Sequence, residues 1–160
     1  MSFLENKYLI KTETGLAIYN VISKLPIIDA HNHANVAELV ENKNYSDPWQ
    51  LFAATDHYVW EVLRKRDVPE DYITGNASPK EKWLKMAQVF PDIAGNPVYE
   101  WVHLDLQRYL GIDALLGPNT GEDIWAEAKA VLAHKSKKPQ QLLKDMKVEV
   151  MCSTDDPTDT

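Results

Sequence analysis

Two stretches of this chain read as β-strand, residues 25–33 and 148–152, and everything between them reads as helix or turn. The first is Leu25-Pro26-Ile27-Ile28-Asp29-Ala30-His31-Asn32-His33 and the second is Val148-Glu149-Val150-Met151-Cys152. They stand about 115 residues apart. A parallel crossover takes a dozen or more residues and a whole βαβ unit roughly 30, so the surplus reads as an inserted helical subdomain. Two strands do not make a self-sufficient sheet, and a (β/α)8 barrel runs to roughly 250 residues. The expected class is α/β, mostly helical, with two parallel strands flanking the insertion; if these are the first strands of a (β/α)8 TIM barrel, the chain is its amino-terminal part. The polar loop that follows the second strand fits a piece of something larger. On this reading residues 1–34 hold an amino-terminal helix and the first barrel strand, 35–146 the insertion, and 147–160 the second strand with its loop.

Helix-start signals recur through the chain. Thr12-Glu13-Thr14 offers caps for a helix over 14–24, and Asn35 for a short one over 36–41. Asp47-Pro48 pairs an acceptor for orphan amides with a residue that has no amide to lose, and predicts helix over 49–54 and 56–65 with a break near Thr55. Ser78-Pro79-Lys80-Glu81 is a capping box opening a helix over 79–89. Asn96-Pro97 opens another that Gly111 ends, and Thr120 caps one whose Ile124, Trp125, Ala128, Val131 and Leu132 share a stripe. Lys138-Pro139 starts the last, through Leu142, Leu143 and Met146.

Composition narrows the classes. Hydrophobic residues at 44% and charged residues at 26% describe a soluble globular protein. A net charge of -7 argues against a nucleic-acid partner, because phosphate neutralisation needs clustered Lys and Arg. No stretch reaches the roughly 18 apolar residues of a membrane span, which excludes a membrane partner and makes the cytoplasm the expected location. Cys152 is the one cysteine, and its apolar run predicts a buried, inert thiol. The five Trp fall at helical spacing and are expected in the core or between domains. His103 and His134 sit within helix patterns and receive no role.

Three clusters can carry chemistry. Side chains alternate along a strand, so His31 and His33 project to one side, with Asp29 and Ile27 behind them. Two imidazoles at a strand's open carboxyl end form half of a metal site, zinc being the natural occupant. On spacing alone the pair equally suits two part-buried histidines satisfied by backbone carbonyls. The second cluster is Asp56-His57-Tyr58 with Trp60 and Arg64. Taken blandly, Asp56 caps a helix, Tyr58 packs inward and Arg64 is a solvated charge; taken functionally, Arg64 is a bidentate clamp for a carboxylate. The third is Thr154-Asp155-Asp156, a turn before Pro157 or part of a binding mouth. In parallel α/β barrels ligands gather at the carboxyl ends of strands, where the first and third clusters lie.

Five stretches together carry a resemblance: 25–33, Asp56-His57-Tyr58-Val59-Trp60, Tyr72-Ile73-Thr74-Gly75-Asn76-Ala77-Ser78, Gly95-Asn96-Pro97-Val98-Tyr99-Glu100-Trp101-Val102-His103-Leu104, and Cys152-Ser153-Thr154-Asp155-Asp156-Pro157-Thr158-Asp159. In order and spacing the chain resembles, from end to end, the amino-terminal part of the uronate isomerase (glucuronate isomerase) family of the amidohydrolase superfamily. The resemblance implies a metal-dependent (β/α)8 barrel with a helical insertion after its first strand. It implies that His31 and His33 bind a divalent metal, zinc, that His57 and Tyr58 are the catalytic pair facing the sugar, and that Arg64, Asp155 and Asp156 bind substrate. The implied reaction is aldose–ketose isomerisation of a hexuronate, D-glucuronate to D-fructuronate and D-galacturonate to D-tagaturonate, in hexuronate catabolism. The family's remaining metal ligand, an Asp, and its later Arg residues are absent here, so the 160 residues alone are expected to be inactive and, with apolar surface uncovered, to self-associate or form a homo-oligomer. Two other readings stay open: a hydrolase of the same superfamily, and a non-catalytic helical module that binds other protein through exposed strand edges.

Overall fold

The structure, a computed structural model, describes residues 3–5 and 8–154. Helices form where the start signals fall. Helix α1 (Glu13–Ile22) begins with the Thr12 hydroxyl accepting the Gly15 amide. Strand β1 (Ile27–Asn32) follows, then α2 (Val36–Glu41), whose first amides donate to the Asn35 side chain. Asp47 caps α3 (Pro48–Phe52) and Asp56 caps α4 (His57–Arg64), with the expected break between them. Both arms of the Ser78–Glu81 capping box are made at α5 (Pro79–Val89). Asn96 caps α6 (Pro97–Asp105), and α7 (Gly121–Leu132), α8 (Pro139–Asp145) and β2 (Val148–Ser153) complete the order.

The departures have local causes. Strand β1 is shorter than expected because Pro26 has no amide, so the ladder starts where Ile27 N–H donates to the Lys147 carbonyl at 2.8 Å. Helix α6 leads into a single π-helical turn, Leu106–Leu110, before Gly111 ends it in the left-handed region at φ 75°. Thr120 precedes α7, but its hydroxyl donates to the Leu115 carbonyl at 2.6 Å and makes no cap bond. Single 3-10 turns at Glu70–Tyr72, Phe90–Ile93 and Lys135–Lys137 carry no periodic signal that a sequence reading could catch.

The chain divides into two compact units, one spanning Asn44–Lys137 and the other built from residues up to Lys43 and from Lys138 onward. The 44–137 unit closes on itself: the Asn44 side-chain amide donates to the Leu132 and His134 carbonyls at 2.6 and 2.8 Å. Its core is held by Trp83, Met86, Phe90, Leu106, Leu116, Ile124 and Leu132. The fully buried Trp83 donates its indole N–H to the Gly121 carbonyl at 2.9 Å. Trp49 and Trp125 are buried as expected, whereas Trp101 is half exposed.

In the other unit β1 and β2 pair in parallel, Ile27 opposite Val148, Ile28 opposite Val150, Asp29 opposite Met151 and Asn32 opposite Ser153. Gln140 ties α8 to α2, its amide N–H meeting Asn42 and its side chain meeting the Leu39 carbonyl. Little covers the strands: Ile28 is 72% exposed and Val150 49%, and Ile18, Val21 and Ile22 of α1 also face solvent. Parallel sheets are ordinarily buried on both faces. For the same reason Cys152, expected inside, is exposed. Among the described residues no helix is long and apolar enough to cross a membrane.

Candidate functional site

At the carboxyl end of β1 the ladder is irregular between Asp29 and Asn32. Asp29 sets this bend: its Oδ1 accepts the His31 amide at 3.3 Å and its Oδ2 the Asn32 side-chain amide at 2.6 Å. Asn32 Oδ1 in turn accepts the Ala34 amide at 2.6 Å. The Asp29 and Asn32 side chains thus fix the backbone on which His31 and His33 are mounted. Both imidazoles are exposed, and their Nε2 atoms converge to 2.9 Å with ring centroids 4.9 Å apart at 62°.

That convergence is a test of the expected metal. Two nitrogens bound to one tetrahedral zinc at about 2.0–2.1 Å stand about 3.3 Å apart, close to the 2.9 Å at which these two share a hydrogen bond. Two exposed imidazole nitrogens this close are a fitting donor pair for such an ion. Among the described residues no group of three His, Cys, Asp or Glu side chains comes together. The pair thus offers two nitrogen donors, against the roughly four ligands that zinc takes. The strand end also carries the start of the third cluster, since the Thr154 amide donates to the Asn32 carbonyl at 3.0 Å. Asp155 and Asp156 lie outside the described residues.

The second cluster belongs to the 44–137 unit. Asp56 Oδ1 accepts the Tyr58 amide at 2.8 Å and the Val59 amide at 3.4 Å, so its capping role is real. Tyr58 does not pack inward: it is 48% exposed, its ring 4.3 Å from that of His57 and 6.2 Å from that of Trp101. Two helix starts thus place His57, Tyr58 and Trp101 on one aromatic surface. Trp101 has no signal in α4's sequence, because the contact crosses between helices. Arg64 holds Glu70 in a two-point fork, Nε to Oε2 at 2.9 Å and Nη2 to Oε1 at 2.6 Å. This hydrogen bonding raises the guanidinium pKa and, with the Thr74 hydroxyl, lowers that of Glu70 to about 2.

Fold and site together define an α/β chain in which two converging imidazoles sit at the carboxyl end of a parallel strand and a helical insertion occupies the crossover. The chain belongs to the glucuronate isomerase family, whose description its sequence matches over residues 1–160. It is 48% identical to the uronate isomerase of Thermotoga neapolitana over 158 residues, 99% of this chain and 35% of that protein. With the uronate isomerase of Lactococcus lactis it shares 41% identity over 98% of this chain and 34% of that one. The crystal structure of uronate isomerase from Thermotoga maritima superposes with a TM-score of 0.94 at 48% identity, covering 100% of this chain and 35% of that one. Glucuronate isomerase from Caulobacter crescentus, at 24% identity, shares the fold with a TM-score of 0.83 over 90% of this chain and 32% of that one. The chain thus spans about a third of the length of the relatives it matches, and corresponds to their amino-terminal part.

Proposed function

We propose that this chain forms the amino-terminal part of a cytoplasmic uronate isomerase, a metal-dependent (β/α)8 barrel of the amidohydrolase superfamily acting in hexuronate catabolism. It interconverts D-glucuronate with D-fructuronate and D-galacturonate with D-tagaturonate. The observation that carries the reading is the convergence of His31 and His33 at the carboxyl end of β1, where barrels of this kind gather their ligands. His31 and His33 would hold the divalent metal, zinc, which when bound polarises or orients the sugar's oxygens.

The isomerisation moves a proton from C2 to C1 and shifts the carbonyl from C1 to C2 through an enediol-like intermediate. The hydroxyl proton on O2 must leave and O1 must gain one. His57 and Tyr58 are suited to that transfer, since each both donates and accepts and the two rings lie side by side. Arg64 is assigned to the sugar's carboxylate, which would take the place that the Glu70 carboxylate holds in its two-point fork. Asp155 and Asp156 are assigned to the sugar's hydroxyls.

The test is an isomerase assay with D-glucuronate on this chain beside a form extended to the relatives' length, with bound metal quantified in both. Activity and stoichiometric metal in the extended form, with no turnover by the 160 residues, is the expected result. An extended form that folds yet neither binds metal nor turns over the sugar would overturn the reading.

A further inference from the structure

We propose a second small-molecule site in the 44–137 unit: the cavity lined by α3, the start of α5 and the Ile73-Thr74 segment, taking a sugar acid. The cavity measures about 480 Å³, within the range of small-ligand sites, and its wall includes Ser46, Gln50, Trp49, Trp60, Thr74 and Lys82. Its polar groups show what it lacks. Asp47, also in the wall, is buried and already accepts the Gln50 amide at 2.9 Å and the Ser46 hydroxyl at 2.7 Å. Gln50 Oε1 accepts the Ser46 amide at 2.8 Å, which fixes the orientation of the side-chain amide. The Thr74 hydroxyl donates to Glu70 and the Trp60 indole to the Ala53 carbonyl.

Two donors remain. The Gln50 NH2 group has no acceptor among the described residues, and Lys82 Nζ spends one hydrogen on the Gly75 carbonyl at 2.7 Å. That ammonium lies 5.9 Å over the Trp49 ring and has no carboxylate at ion-pair distance among the described residues. A half-buried cation beside a spare amide donor calls for an oxyanion. With the Asp47 carboxylate also in the wall, a single negative charge on the ligand is repelled less than the two of a phosphate. Trp60, the part-exposed tryptophan of the wall, adds apolar surface for the carbon face of a ring. A hydroxylated monocarboxylate meets all three conditions. The assignment rests on the cavity's own donors and not on the isomerase reading.

Tryptophan fluorescence of this chain, titrated with D-glucuronate, D-glucose and inorganic phosphate, tests it. Saturable D-glucuronate binding is expected, weakened about tenfold or more by Lys82→Met and by Gln50→Leu, with D-glucose weaker by a similar factor. Binding should survive in the double variant His31→Ala/His33→Ala, which separates this cavity from the histidine pair. Circular dichroism of each variant beside the unsubstituted chain accompanies the titration. Absence of saturable binding to the folded chain would overturn the proposal. So would binding indifferent to both cavity variants, binding lost with the histidines, or phosphate or D-glucose binding as tightly as D-glucuronate.

Discussion

His57→Ala in the extended enzyme should lower kcat by about 10²–10⁴-fold, the usual contribution of a positioned acid–base group, and leave the unfolding midpoint nearly unchanged. The side chain is exposed on a helix whose cap comes from Asp56, so little folding energy depends on it. Matched losses of rate and stability would contradict the assignment. His103 is its opposite. Its Nδ1–H donates to the Tyr99 carbonyl at 2.7 Å and its Nε2 accepts the Leu116 amide at 2.8 Å, which requires the neutral ring. Burial holds its pKa below the ordinary value of 6.5. The unfolded chain therefore takes up this proton first, and the stability His103 contributes is complete above pH 6.5 and lost as pH falls from there toward the lowered value. His103→Leu should cost about 1–3 kcal/mol by leaving the Leu116 amide buried without an acceptor, and should flatten the pH dependence of the melting temperature in that window. His57 stood out through its neighbours Asp56 and Tyr58, but the role of His103 did not: a histidine four residues after Tyr99 reads as one more helical position, because its second partner lies on a loop thirteen residues away.

At the scale of elements, α5 and α7 approach too closely for any side chain at Gly121, where a Cβ would stand 2.7 Å from that of Ala87. Gly121→Ala should therefore destabilise by about 1–3 kcal/mol in urea unfolding, and Ala87→Gly in the same chain should recover part of the loss. Equal destabilisation in the single and double variants would mean that the contact is not the cause. Caps were legible because they are local: Asp47, Asp56, Ser78 and Asn96 each act within three residues of themselves. The Gly121–Ala87 contact, the π-helical turn and the Tyr58–Trp101 surface were not, because each depends on where another element arrives. The two strands were legible from apolar runs, and their parallel pairing from the length between them; the Asp29 bend that makes His31 and His33 converge was hidden in side-chain hydrogen bonds.

At the scale of the whole molecule, the chain presents Ile27, Ile28 and Val150 on a two-stranded parallel sheet, and its relatives are about three times its length. The 160-residue chain should self-associate in light scattering, and the extended form should do so less or adopt a defined oligomer. A monodisperse monomer of the short chain would show that these faces do not adhere. That the 44–137 unit falls, in sequence, between the two segments of the other has a consequence in time. During synthesis every contact of its core is available once residue 137 has left the ribosome, whereas β1, made early, must wait for β2 before it has a neighbour. The strand that carries His31 and leads into His33 is thus among the first segments translated and among the last to be seated, and a pause or truncation between the two strands would leave a folded insertion attached to an unpaired strand.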